Sequence, residues 1–143
     1  MIAEAEQHLT RASTCNATGR FQLEAAIQSA HMHQALTGAA NDESIALMYE
    51  ALLQVSSTVG VMVNHAAAVA RSQGASAGLT LLNRIPGNVT EKYQPFWALS
   101  GHLHSRLQQP EEAIAAYQQA ILLCEEESVR AFLANKVSEL TTE

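Results

Sequence analysis

Helix-breaking residues recur at short intervals and divide an otherwise helix-forming chain into short segments. The segments are rich in Ala, Gln, Leu and Glu, which favour helix, and no long stretch alternates apolar with polar residues as a strand would. The breaks lie at Gly19, Gly38, Gly60, Gly74, Gly87 and Pro110. Helices this short are stable only when each packs against others. The spacing therefore predicts an all-α fold of about eight helices in antiparallel hairpins, at 2–14, 20–36, 42–55, 59–73, 75–84, 90–108, 110–124 and 126–141.

Length and charge exclude several functional classes. The 143 residues, 48% of them hydrophobic, suit a single domain over 1–143 with a packed core. The 8 Lys and Arg against 14 Asp and Glu give a net charge of −6, which argues against nucleic-acid binding and against anionic membrane surfaces. The longest apolar run, 59–70, is shorter than the roughly 20 residues of a membrane helix. The acidic N-terminus differs from a secretory signal, so we expect a cytoplasmic protein.

A repeat pattern is clearest near the C-terminus. Its residues have the spacing of a tetratricopeptide (TPR) repeat, a pair of helices that pack closely at small side chains. They are Trp97, Gly101, Ala113, Tyr117 and Ala120. This register predicts a best repeat over 94–127 and, with Ala67 and Ala77 at the crossing, a weaker one over 60–91. A third over 20–55 has less support. The fold expected is a short right-handed solenoid, and a generic alanine-rich bundle is the alternative.

Four strings, taken in order, resemble the C-terminal helical extension of bacterial extracytoplasmic-function (ECF) sigma factors. They are residues 19–28, 48–53, 64–70 and 115–120. The resemblance extends from about Ile2 to Leu140. It leaves open whether the chain is a fragment, a split gene product or a stand-alone relative. Members of this group carry promoter-reading domains followed by a TPR-like region. The resemblance therefore implies a regulatory module that contacts the sigma domains, core RNA polymerase or a signalling partner.

The chain departs from that family at three places. His65 stands where the family usually has Arg, and Asp42 where it usually has Trp. Leu107-Gln108-Gln109 replaces a Leu-Gly-Arg string. The contacts that the family makes through those residues are not carried over to this chain.

Candidate chemical sites are weak, and we predict neither catalysis nor a cofactor. His31 and His33, like His102 and His104, are two residues apart, so on a helix their side chains point roughly 160° apart and do not share a metal ion. No glycine-rich phosphate loop or nucleophile elbow is present. The sequence therefore favours a binding protein with no metal site.

Helical-repeat solenoids bind partners on an extended concave surface. The resemblance to TPR proteins implies that the first helix of each pair lines it. In the predicted register this face carries Asn64, Ala68 and Arg71 on one helix and Ala98, His102 and Arg106 on the next. Small residues leave room for a partner, and arginines pair with carboxylates. We expect a protein partner at this groove.

Three alternatives remain open. One is a stand-alone TPR adaptor or chaperone. Another is a small-molecule sensor with a cleft near Tyr93 and Trp97. The third and weakest is an enzyme. Homodimerisation through an uncovered apolar helix face is also left open.

Overall fold

The computed structural model describes residues 4–38 and 41–141, with side chains from Gly19 onward. This part of the chain contains eight helices and no strand, which confirms the all-α prediction. The helices are α1 (Glu4–Thr37), α2 (Asp42–Val55), α3 (Val59–Gln73), α4 (Ala75–Asn83), α5 (Gly87–Thr90), α6 (Gln94–Arg106), α7 (Pro110–Leu123) and α8 (Glu127–Thr141). Across these residues, no helix combines the length and apolar character needed to cross a bilayer.

Two predicted boundaries are wrong. Gly19 lies inside α1 and does not break it, because a single glycine weakens a helix without ending it. The predicted helix 90–108 divides into α5 and α6. Tyr93 is extended and α6 begins at Gln94, directly before Pro95. Proline is accommodated in the first helical turn, where its missing N–H breaks no bond.

The helices stack so that each core cluster shares a helix with the next. The first cluster joins α1, α2 and α3 around Ile27, Ile45 and Leu52. The second joins α3, α4 and α6 around Val63, Leu82 and Leu103. The third joins α6, α7 and α8 around Tyr117 and Leu133. Helices α3 and α6 therefore each contribute to two clusters, and they also pack against one another.

The α3–α4 hairpin turns on one residue, Gly74. Its φ is +106°, a left-handed conformation that glycine adopts at little steric cost. Its N–H donates to the Ala70 carbonyl (3.0 Å) and its own carbonyl accepts from Gly78 N–H (3.2 Å). Gly74 thus ends α3 and begins α4.

Glycines also stand at the helix crossings. A Cβ added to Gly101 of α6 would lie 2.8 Å from Tyr117 Cδ1 of α7, and one added to Gly78 of α4 would lie 2.8 Å from the Ala66 carbonyl oxygen of α3. Both distances are well below van der Waals contact. In the second hairpin the crossing residue is Gly78, next to the predicted Ala77.

We expect Gly101→Ala to destabilise the chain by about 1–3 kcal/mol, because its Cβ overpacks the buried Tyr117 ring. Gly19→Ala is the matched control: outside its own helix backbone, no described atom lies within 4 Å of the added Cβ, and alanine should stabilise the helix by up to about 1 kcal/mol. Chemical denaturation measures both. Equal effects of the two substitutions would contradict the close crossing.

Gln108, in the turn between α6 and α7, has a φ of +62°. The left-handed conformation costs a non-glycine residue roughly 1–2 kcal/mol, which a glycine would recover. The greater entropy of glycine in the unfolded state offsets about half of that recovered free energy. Gln108→Gly should therefore raise the free energy of unfolding by about 0.5–1 kcal/mol. Gln108→Ala keeps the strain and should give no such gain. A Gln108→Gly variant no more stable than Gln108→Ala would rule out this backbone conformation.

Candidate partner-binding groove

A cavity of about 300 Å³ opens between α3 and α6, and we refer to it as the α3–α6 groove. Its less exposed walls are apolar: Ala67 and Ala70 of α3 have small side chains, and Leu99 and Leu103 of α6 have larger ones. Its exposed lining is polar and mostly cationic, and comprises Arg71, His102 and Arg106. The groove can therefore hold an apolar group beside an anionic one.

Helical spacing brings these side chains to one side of each helix. On α3, Ala67, Ala70 and Arg71 stand at i, i+3 and i+4, which are neighbours on one helix face. On α6, four lining residues continue the same spacing over two turns: Leu99, His102, Leu103 and Arg106. The facing stripes meet because α6 packs against α3 and α4.

The structure brings together three of the six predicted groove residues. Arg71, His102 and Arg106 line the groove. Asn64 is exposed on α3 but is not part of that lining.

Two further predicted groove residues, Ala68 and Ala98, lie outside the groove lining. Ala68 is fully buried in the α1–α3 cluster, because α3 turns Ala68 and Val69 toward α2. Ala98 packs against the third cluster, on the side of α6 that faces α7 and α8. The stripe that faces the groove on α3 is shifted by one residue, to Ala67.

Sequence reasoning missed the groove's own carboxylate. Asp42 of α2 lines the groove, and its Oδ1 lies 3.8 Å from Arg71 Nε. Gln34 Nε2 of α1 donates to the same oxygen at 2.7 Å. Asp42 is the first residue of α2. An acidic residue in the first turn of a helix indicates, from sequence alone, only a favourable interaction with the helix dipole. No local pattern indicates a contact with α3.

Arg106 differs from Arg71 in having no charged partner among the residues that the structure describes. Its side chain forms no hydrogen bond or ion pair with any residue that the structure describes. Both arginines are exposed. The cationic charge of Arg106 is thus available to an anion, whereas that of Arg71 is partly balanced by Asp42.

The pKa of His102 is lowered in the groove. Partial burial lowers its pKa, and the positive charges of Arg106 and Lys136 lower it further. His104, two residues on, faces elsewhere: its Nδ1 lies 2.7 Å from Gln109 Oε1 in the α6–α7 turn. The i, i+2 spacing thus separates the pair.

A second concavity, of about 130 Å³, lies among α2, α3 and α4. Its lining is mainly apolar and includes Leu53, Met62 and His65. Burial lowers the pKa of His65, and Glu50 partly opposes that shift. Of these two concavities, the α3–α6 groove is the larger and has the more charged lining.

No family model matches the chain. The chain is 29% identical over its 143 residues to an uncharacterized protein of Rhizobium meliloti (strain 1021). That relative is longer. The chain spans 34% of its length.

The pKa of His102 should lie below its ordinary value of about 6.5. Arg106→Ala should raise it only part of the way back, because burial is the larger cause. The unfolded state then binds more protons than the folded state as pH falls below about 6.5, so His102 lowers stability on acidification. NMR titration of the imidazole resonances measures the pKa of His102 in the unmodified chain and in the Arg106→Ala variant. A His102 pKa at or above its ordinary value would contradict this electrostatic description.

Proposed function

We propose that this chain is a non-catalytic protein-binding module that holds an acidic segment of a partner in the α3–α6 groove. The observation that carries the proposal is Arg106, which has no ion pair or hydrogen bond with the described residues, beside an apolar wall of Leu99 and Leu103. Guanidinium groups bind carboxylates with directed hydrogen bonds. The small side chains of Ala67 and Ala70 leave space for the partner's chain.

We further propose that the module acts in transcription initiation, as the C-terminal regulatory extension of an ECF sigma factor does. The four resembling strings support this assignment. The chain spans 34% of the length of its relative, as one part of a longer protein would. The partner is then the promoter-reading sigma domains, core RNA polymerase or a signalling protein. The site of action is the cytoplasm.

The proposed mechanism is a coupling free energy. Suppose that the partner binds the groove more tightly when the sigma domains are in one of two states. Binding of the partner then shifts the sigma domains toward that state, by the difference between its binding free energies for the two states. The charge balance of the chain, −6, suits contact with protein better than direct contact with DNA. No reaction chemistry is required of the groove.

Two alternatives differ from this proposal in the partner or in the site. A stand-alone adaptor would use the same groove but bind neither sigma domains nor polymerase. A sensor cleft between Tyr93 and Trp97 is disfavoured, because Tyr93 packs against the second core cluster and Trp97 against the third. The Trp97 Nε1–H also donates to the Glu91 carbonyl, at 3.3 Å.

We expect the purified chain to bind either the promoter-reading fragment of an ECF sigma factor encoded beside it or core RNA polymerase. Arg106→Ala should weaken that binding about tenfold or more, as loss of a buried interfacial charge contact does. Isothermal titration calorimetry with each candidate measures the dissociation constant.

Arg130→Ala is the matched control, since Arg130 is an exposed arginine of α8 that does not line the groove. It should bind as the unmodified chain does. Binding to neither candidate by a folded chain would contradict the sigma-factor proposal. Equal losses in the two variants would show that the groove is not the site.

A further inference from the structure

The α3–α6 groove contains two arginines and one carboxylate of its own. Asp42 Oδ1 lies 3.8 Å from Arg71 Nε. Arg106 has no such partner within the described chain. Because neighbouring opposite charges largely cancel at a distance, the free groove presents about one net positive charge, located at Arg106.

Contacts from α1 hold Asp42 in position. Gln34 Nε2 donates to Asp42 Oδ1 at 2.7 Å. Asn41, which precedes Asp42, donates from Nδ2 to the Ala30 carbonyl at 3.1 Å. The start of α2 is therefore fixed on α1 by hydrogen bonds that do not involve Arg71. The Asp42 carboxylate stands in the groove independently of the ion pair it makes.

We propose that Asp42 pairs with Arg71 and so takes the position that a partner's second carboxylate would otherwise fill. The groove then selects a segment with one acidic group beside an apolar one. This inference rests on the proposed function. The single acidic group engages Arg106, and the apolar group lies against Leu99 and Leu103. A segment with two adjacent acidic groups gains nothing at Arg71, because its second carboxylate meets the negative charge of Asp42.

Small carboxylates test this selectivity directly. Butyrate carries one carboxylate and an apolar chain, whereas succinate, glutarate and adipate carry two carboxylates at increasing separation. Amide and guanidinium NMR shifts of the groove residues, followed during titration, give each dissociation constant. The unmodified chain should bind butyrate about as tightly as its best dicarboxylate.

The Asp42→Asn variant should bind the best dicarboxylate more tightly than it binds butyrate. The amide keeps the shape and can still accept from Gln34, but it leaves Arg71 free. Affinity for the best dicarboxylate should rise about two- to fivefold, the range that one exposed ion pair provides, while butyrate affinity changes less. The double variant Asp42→Asn/Arg71→Ala should lose the gain, which assigns it to Arg71.

Glu43→Gln is the matched control. Glu43 is the next residue in the first turn of α2, is exposed, and does not line the groove. It removes the same charge near the same helix end and should leave the ratio of dicarboxylate to butyrate affinity unchanged. If Asp42→Asn does not fold, Asp42→Ser replaces it, since serine is favoured at helix starts.

Three results would overturn the inference. The first is a ratio of dicarboxylate to butyrate affinity that Asp42→Asn leaves unchanged. The second is a rise in affinity that is equal for butyrate and the dicarboxylates. The third is a rise in dicarboxylate affinity that persists in Asp42→Asn/Arg71→Ala. In each of these cases the groove still binds anions, so the proposed function stands. If no groove resonance of the unmodified chain shifts with any carboxylate, the acidic-segment recognition on which the inference rests fails as well.

Discussion

The close crossing of helices at glycine is the contact on which the rest of the structure depends. At Gly101 the ring of Tyr117 lies where a Cβ would be, so α7 approaches α6 more closely than two ordinary side chains allow. Tyr117 in turn packs with Ala113, Ala120 and Leu133. Gly78 plays the corresponding part between α4 and α3. Each hairpin is thereby a compact unit that can stack on the next.

The groove follows from this stacking. Helices α3 and α6 each use two sides for core packing, one toward their own hairpin and one toward a neighbouring helix. Where the two helices face one another, Ala70, Leu99 and Leu103 of the second cluster line a cavity of about 300 Å³. Asp42 reaches the same cavity because Gln34 and Asn41 anchor the start of α2 on α1. Three separate segments thus supply the charges at one site.

Helix positions could be read largely from the sequence, but the rotation of a helix about its axis could not. The bounds of α2 and α3 agree with those predicted at 42–55 and 59–73, because Gly74 and the polar loops end those helices locally. On α3 the alanine that faces the groove is Ala67, one position before the predicted Ala68. Ala66, Ala67 and Ala68 are consecutive, so hydrophobicity alone does not distinguish Ala67, which lines the groove, from its two buried neighbours. Only packing against α2 selects Ala68 for burial.

The central claim, that the α3–α6 groove is the partner-binding surface, is tested most directly by site-specific photo-crosslinking. Benzophenone would be placed at Ala67, inside the groove, and separately at Thr80, which is exposed on α4. Each protein would be irradiated with the promoter-reading sigma fragment and with core RNA polymerase. The account predicts an adduct from position 67 and none from position 80. An adduct from position 80 alone, or from neither position with a folded chain, would contradict it.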